Sequence, residues 1–423
     1  MKPAPRQRSI ALFGVGLLVP LLGGGNVLVS LEPEPAIRYL ALALVALAGL
    51  FVATRLGRAV DPPAAPTAAL VVLVCWWSAA QILRASGPRA ALEAEGLFCA
   101  ALLYALLSWQ PPLLGEIRAW IAGLLLGALV TAAYGQYQYW VMFPRLAPLI
   151  RELGGTPRLY VNANFYNSNC YAAFLAGVIL LCVGFAPRGG ARWQPFASAL
   201  AVTTLAITLL LSQSRATLLL LVIAGGAFAL GSGRRLTWRR SLAGAAALVV
   251  AASALLAKLS LEELWQVGWR GRVAIWQGGL RMIEQHWLLG VGLGRFWDYF
   301  EQYRIDTYYT RYPHNFFLEV FAELGIVGAG ALLGWLVPSL VRAVRGYRRA
   351  ARLPPQHPGR RGATAVAAAV GLLTLHGLLD IDWHAPANPI LLFALLGIGQ
   401  HLDRFSNPAQ CAAPRPARQA GAP

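Results

Sequence analysis

Long, nearly uncharged apolar runs limit what this chain can fold into more than any other feature. The stretch "AWIAGLLLGALVTAAYGQYQYWVMF", residues 119–143, carries no charged side chain. About 20 such residues span a bilayer's hydrocarbon core as a helix, and a helix satisfies every backbone group from within the segment. Hydropathy places spans, this one included, at about 10–30, 37–55, 67–84, 93–109, 117–142, 169–186, 194–212, 216–231, 241–257, 314–341, 362–380 and 386–402. That makes twelve, with both termini on one side. Apolar residues make up 57% of the 423 and charged ones 13%, with a mean hydropathy of +0.54, which no soluble domain could bury. The expectation is an all-α polytopic membrane protein.

The net charge of +18 would suggest a nucleic-acid partner if it were spread over one surface. It is segregated instead. Placing "MKPAPRQRS" in the cytoplasm puts Arg55, Arg58, Arg188, Arg192, "GRRLTWRR" and "RAVRGYRRAARLPPQHPGRR" on the same side, whereas the opposite loops are nearly charge-balanced. That is the positive-inside pattern. It makes both termini cytoplasmic, explains the excess by topology, and leaves nucleic acid without a role.

The chain divides into helices one to five (1–142), an outer loop (143–168), helices six to nine (169–257), a large outer loop (258–313), helices ten to twelve (314–404) and a tail (405–423). The tail is Pro/Ala-rich and reads as disordered. Within the large loop, "GRVAIWQGGLRMIEQHWLL" sets Val273, Trp276, Leu280 and Ile283 at helical spacing. An amphipathic helix follows, lying on the membrane or packed over the bundle. "GVGLGRF" (290–296) is a glycine-punctuated turn, and no GK[ST] follows to make it a phosphate loop. Cys75, Cys99, Cys170, Cys182 and Cys411 form no CxxC pair, so neither a disulfide framework nor a metal knot is indicated. The first apolar segment lacks an A-x-A-like cleavage site and reads as a retained anchor.

Against this background the polar residues at the outer face stand out. In "YTRYPHNFFLEVFAELGIVG" (308–327), Pro313 suits a helix's opening turn and puts His314 and Asn315 in that turn. His314 is either a proton acceptor or an interfacial histidine that wets the helix end. Glu319 and Glu323, at i and i+4, share a face; either they bind substrate or they hold a neighbouring arginine, and a structural role suits Glu323 better. Arg215, in the short "SQSR" turn, either snorkels or offers its planar fork to a phosphate. Arg158, Arg270, Arg272, Arg281, Arg295, Arg304 and Arg311 share this side. "RLYVNANFYNSNCY" (158–171) presents Asn162, Asn164, Asn167 and Asn169, one as a helix cap and the others for sugar hydroxyls between Tyr160, Phe165 and Tyr166. "HGLLDIDWHAPANP" (376–389) adds His376, Asp380, Asp382 and His384. No HExxH is present and "DID" is a lone DxD, so no metal and no other cofactor is expected.

In order and membrane side, these motifs resemble the O-antigen ligase and polymerase superfamily. "RVAIWQGGL" (272–280), "GVGLGRF" (290–296) and "HNFFLEVFAELGIVG" (314–328) are similar to its C-terminal signature, and "SQSR" (212–215) to its arginine-bearing turn. "NSNCYAAFL" (167–175) is similar to the family's N-P-N-x-x-A-x-Y-L, with Ser168 in place of proline. The resemblance implies a GT-C-like, inverting glycosyltransferase at the outer face of the bacterial inner membrane. Its donor would be an undecaprenyl-pyrophosphate-linked glycan, and in the ligase branch its acceptor a sugar of lipid A–core. His314 would be the catalytic base and Arg215 would stabilise the leaving pyrophosphate. Arg158, Arg272, Arg295, Arg311, Asn167, Asn169 and Asn315 would bind the donor, with Glu319, Glu323 and Asp382 in support.

Two relatives of that chemistry compete: a polymerase extending the glycan on its own carrier, and a protein O-oligosaccharyltransferase. The latter tends to carry a further C-terminal periplasmic portion, where here only the short tail follows the last span. A transporter, from a different class, would place its ionisable residues near mid-bilayer within repeats; here they gather at one face. The topology predicts that alkaline phosphatase fused after Gly290 is active, whereas fused after Arg352 it is not.

Overall fold

The computed structural model describes residues 5–23, 64–83, 88–109, 112–157, 159–165, 167–186, 192–232, 269–305, 310–355 and 357–402. The expected spans at 37–55 and 241–257, Arg158, Cys411 and the tail from 405 lie outside them. The described residues form helices and connecting turns: α1 (Pro5–Leu22), α2 (Ala64–Leu83), α3 (Pro88–Trp109), α4 (Leu114–Tyr137), α5 (Phe143–Glu152), α6 (Ser168–Phe185), α7 (Gln194–Leu211), α8 (Arg215–Gly231), α9 (Arg270–His286), α10 (Phe296–Tyr303), α11 (Phe316–Ala350), α12 (Pro358–His376) and α13 (Ala387–Gly399). Among the described residues, four helical segments are long and apolar enough to cross a membrane: Leu114–Glu152, Ser168–Phe185, Gln194–Leu211 and Phe316–Ala350. The chain is a helical membrane protein.

At the centre stands α13, in which every residue is buried. A helix apolar on all sides is stable only when surrounded, and α13 packs against α3, α12 and α11. α12 in turn lies along α6 and α8, and α2 runs beside α11. α1 crosses α4 very closely, because glycines meet there: a side chain at Gly16 would strike the Trp120 carbonyl, and one at Gly123 the Phe13 carbonyl. Gly123 and Gly127 form the small-xxx-small spacing that lets membrane helices approach. At the start of the same pair, Arg8 and Glu116 bridge at 2.9 Å, both buried, and Glu116 also accepts the Leu113 N–H at 2.8 Å.

Two helices depart from the sequence expectation. α4 does not stop near residue 142: it passes through a π-turn, Gln138–Met142, and continues as α5. Pro144 explains the widened turn, since it cannot donate to the carbonyl four residues back. α11 is broken rather than continuous, because Gly325 adopts φ 64°, ψ −167°. The "GVGLG" loop fills the break. Val291 donates to the Ala322 carbonyl (2.9 Å), Gly292 to that of Glu323 (2.8 Å), and Ile326 to that of Trp287 (2.8 Å). Trp76 Nε1 takes the Leu324 carbonyl at 3.0 Å. Irregular backbone at membrane depth persists only when re-satisfied in this way.

Gly123→Val should overpack the α1–α4 crossing by about 1–3 kcal/mol. A lowered thermal midpoint in detergent would show it; an unchanged midpoint would mean that the crossing is looser than described.

Candidate functional site

The polar residues converge at one end of the bundle, where α6, α8 and α11 begin and α12 ends. His314 is not in the first turn of α11, as Pro313 had suggested. The helix starts at Phe316, with Asn315 as its N-cap accepting the Leu318 N–H at 3.1 Å. His314 precedes it in a left-handed conformation, φ 52°, uncommon for a non-glycine residue. The cap explains the shift: the Asn315 side chain closes the helix end, so the chain must turn before it. Three contacts hold that turn. The Phe316 N–H donates to the Gly377 carbonyl (3.0 Å), Trp276 Nε1 donates to the Pro313 carbonyl (2.9 Å), and the Phe316 ring stacks on Trp383 with centroids 3.4 Å apart.

Asp380 is the hub. One carboxylate oxygen faces His314 Nδ1 at 3.1 Å and accepts the Ile381 N–H at 2.9 Å; the other accepts Asn169 Nδ2 at 2.7 Å and Arg272 at 3.1 Å. The side chain is 1% exposed, and that of His314 is 27% exposed. Burial alone would raise the carboxyl's pKa. The hydrogen bond and charge of His314, with the charges of His376 and Arg272, outweigh it and hold Asp380 well below the usual carboxylate range. Asn169, Arg272 and His314, taken from three separate sequence motifs, are thus gathered on one anion.

Asp382 turns the other way. Its carboxylate meets His376 Nδ1 at 2.6 Å and accepts Asn388 Nδ2 at 3.1 Å, and burial, together with Asp380's charge, keeps its pKa above the ordinary value despite His376. Glu319 pairs with His384 Nε2 at 2.7 Å, and the Tyr312 ring covers that histidine with centroids 3.8 Å apart. Glu323 accepts the backbone N–H groups of Gly294 (2.8 Å) and Phe296 (2.9 Å), so it clamps the glycine loop.

The remaining residues are spread around this centre. Arg215 opens α8 and is exposed, after a turn in which Gln213 has φ 59°. Arg295 bonds Asp298 at 3.2 Å and lies over Tyr299, and Arg311 lies over Trp297. The asparagines are largely taken up within the protein. Asn167 caps α6 by accepting the Asn169 N–H at 2.6 Å, Asn164 donates to the Pro20 and Leu21 carbonyls, and Asn162 bonds Gln138. Phe165 is fully buried, so only Tyr160 of the described aromatics there meets solvent. The amphipathic helix is α9, but its buried face is rotated from the expected one. Gly271, Ile275, Gly278, Gly279, Met282 and Ile283 face inward, and Leu280 is exposed. Gly278 and Gly279 cause this, because Phe300 and Leu318 pack where their side chains would be. Among the described residues, no three His, Cys, Asp or Glu side chains are grouped to hold a metal ion.

Sequence reasoning noted Asp380 without seeing that it, rather than Asp382, faces His314. Two aspartates two residues apart in a turn give no signal of direction. Thr217, bonded to His376 at 3.0 Å, was missed because an apolar helix hides a lone threonine.

Residues 199–333 match a family model described as O-antigen ligase. No curated protein matches the chain. The matched segment holds Arg215, Arg272, Arg295, His314, Glu319 and Glu323; Asn169 and Asp380 fall outside it.

Glu323→Ala leaves a buried N–H donor (Phe296) and a half-buried one (Gly294) without their charged acceptor, at a cost of about 3 kcal/mol. The loop at 290–296 should then be cut by protease faster than in the wild type; equal rates would show that the clamp contributes nothing.

Proposed function

From membership of the O-antigen ligase superfamily as premise, we propose that this chain is an O-antigen ligase. It transfers an undecaprenyl-pyrophosphate-linked glycan to a sugar hydroxyl of lipid A–core, inverting and without a metal. The reading takes the enzyme to be GT-C-like, with about twelve spans in the bacterial inner membrane, both termini cytoplasmic and the site periplasmic. The observation that carries it is the contact of His314 Nδ1 with the buried Asp380 carboxylate at 3.1 Å. An ionised carboxylate accepts only, so Nδ1 bears a proton, and in the neutral ring Nε2 keeps its lone pair. That is how a histidine is prepared as a general base.

The acceptor oxygen forms its bond to the anomeric carbon on the face opposite the pyrophosphate. The hydroxyl proton passes to His314 Nε2, and the carbon–oxygen bond to phosphate breaks with its electron pair leaving on the pyrophosphate. Arg215 meets that charge from the N-terminus of α8, where unpaired N–H groups also favour an anion. Arg272, Arg295 and Arg311 supply further positive charge at this face, with Asn169 fixing Asp380 from α6. Arg158 joins them by its place in the sequence. In this reading Asn167 and Asn315 shape the donor site through the helix ends they cap, and Glu319, Glu323 and Asp382 hold its walls.

The test is transfer from undecaprenyl-pyrophosphate-linked glycan to lipid A–core by purified protein in detergent with EDTA, followed on a gel. Wild type should transfer; His314→Ala, Arg215→Ala and Asp380→Asn should each lose about a hundredfold or more. Asp380→Asn is the sharpest, since an amide that donates to Nδ1 moves the proton to Nε2. Glycan lengthening on its own carrier would make the protein a polymerase, and transfer to a serine or threonine a protein O-oligosaccharyltransferase. Folded protein that transfers to nothing would return the transporter reading.

A further inference from the structure

We propose that His376 is a positioning residue for this reaction: it sets the Arg215-bearing start of α8 in register with the Asp380–His314 pair. The proposal rests on the transferase reading above and concerns a buried histidine that the chemistry itself does not use.

His376 is 0% exposed and ends α12. Both ring nitrogens are engaged. Nδ1 meets Asp382 at 2.6 Å and Nε2 meets the Thr217 hydroxyl at 3.0 Å, which in turn lies 2.8 Å from the Ser214 hydroxyl. In the neutral ring that donates Nδ1–H to Asp382, Nε2 accepts from Thr217 and Thr217 accepts from Ser214. The donors therefore run in one direction, from the Arg215 turn to the aspartate. Asp382 is anchored by Asn388, whose amide also donates to the Cys170 carbonyl of α6 at 3.0 Å.

The backbone of the same residue faces the catalytic side. The His376 carbonyl accepts the N–H of Asp380 (3.0 Å) and of Leu379 (2.8 Å), and the neighbouring Gly377 carbonyl accepts that of Phe316. One residue thus grips the helix carrying Arg215 by its ring and the turn carrying Asp380 by its backbone. Ser214 and Thr217 flank Arg215 on the buried side of α8, so this link fixes the start of the helix from which the Arg215 side chain extends. The base acts on the incoming oxygen and the anion-stabilising group on the departing one, on opposite sides of a single anomeric carbon, and a misplacement of about 1 Å costs about a hundredfold.

Two substitutions cut the link and leave the chemical groups in place. His376→Asn keeps a donor for Asp382 but none of the reach to Thr217, and Thr217→Val removes the hydroxyl at constant shape. In purified full-length protein, each should lower kcat about tenfold or more with donor KM within about twofold. Thr217→Ser should restore turnover. Nitroxides on Gln213→Cys and Leu375→Cys, with Cys75 and Cys411 replaced, give a readout independent of activity. Dipolar EPR should show a narrow separation in the parent and in Thr217→Ser, and a broadened one in Thr217→Val and His376→Asn. Wild-type kcat in both folded variants, unchanged separations, or a rise in donor KM at constant kcat would each overturn the proposal. A parent protein that transfers no glycan overturns the transferase reading instead, and the nitroxide separations then still decide whether the link exists.

Discussion

A single buried carboxylate, Asp380, organises the outer end of this molecule. Its charge is tolerable only because four donors converge on it, one each from α6, α9 and the His314 turn, and one from its own following backbone. Removing a partner from such a group leaves an uncompensated charge, at a cost of about 3–5 kcal/mol. The arrangement is therefore self-enforcing. The chain cannot bury Asp380 without bringing Asn169, Arg272 and His314 together, although the four residues are spread over more than two hundred positions of sequence. The strained backbone at His314 is held against that anchor, with the Phe316–Trp383 stack behind it.

The apolar frame was legible from the sequence because hydrocarbon leaves few choices. α6, α7, α8 and α13 begin and end within a few residues of where hydropathy placed them. The failures were local and share a cause. Pro313 read as a helix opener, yet Asn315 capped the helix first; Gly325 read as one small residue in an apolar run, yet it breaks α11 because a loop some thirty residues upstream fills the gap. In α9 the periodicity placed the buried face off by a rotation, keeping Ile283 but including the exposed Leu280, since the two glycines buried there have no side chain to register as apolar.

Legibility in the site was of the same mixed kind. Which residues gather at the outer face followed from topology and spacing. Which carboxylate meets which histidine did not, because Asp380 and Asp382 differ only in the direction a turn sends them. Asn167 and Asn315 were read as donor-binding; in each the side-chain oxygen closes a helix end, and such short side chains suit both tasks.

The uninterrupted rod formed by α4, the π-turn and α5 has a consequence of its own. Its 39 residues extend about 58 Å at 1.5 Å each, against a hydrocarbon core of about 30 Å. Even a tilt of about 40° would leave some 15 Å of it outside the core. Hydrophobic mismatch, which costs ordinary spans energy when a bilayer thickens or thins, only moves the waterline along such a rod. The Gln138 side chain that grips the Asn162–Ala163 backbone rides on that rod, so the height of the asparagine loop is referenced to a helix rather than to the lipid.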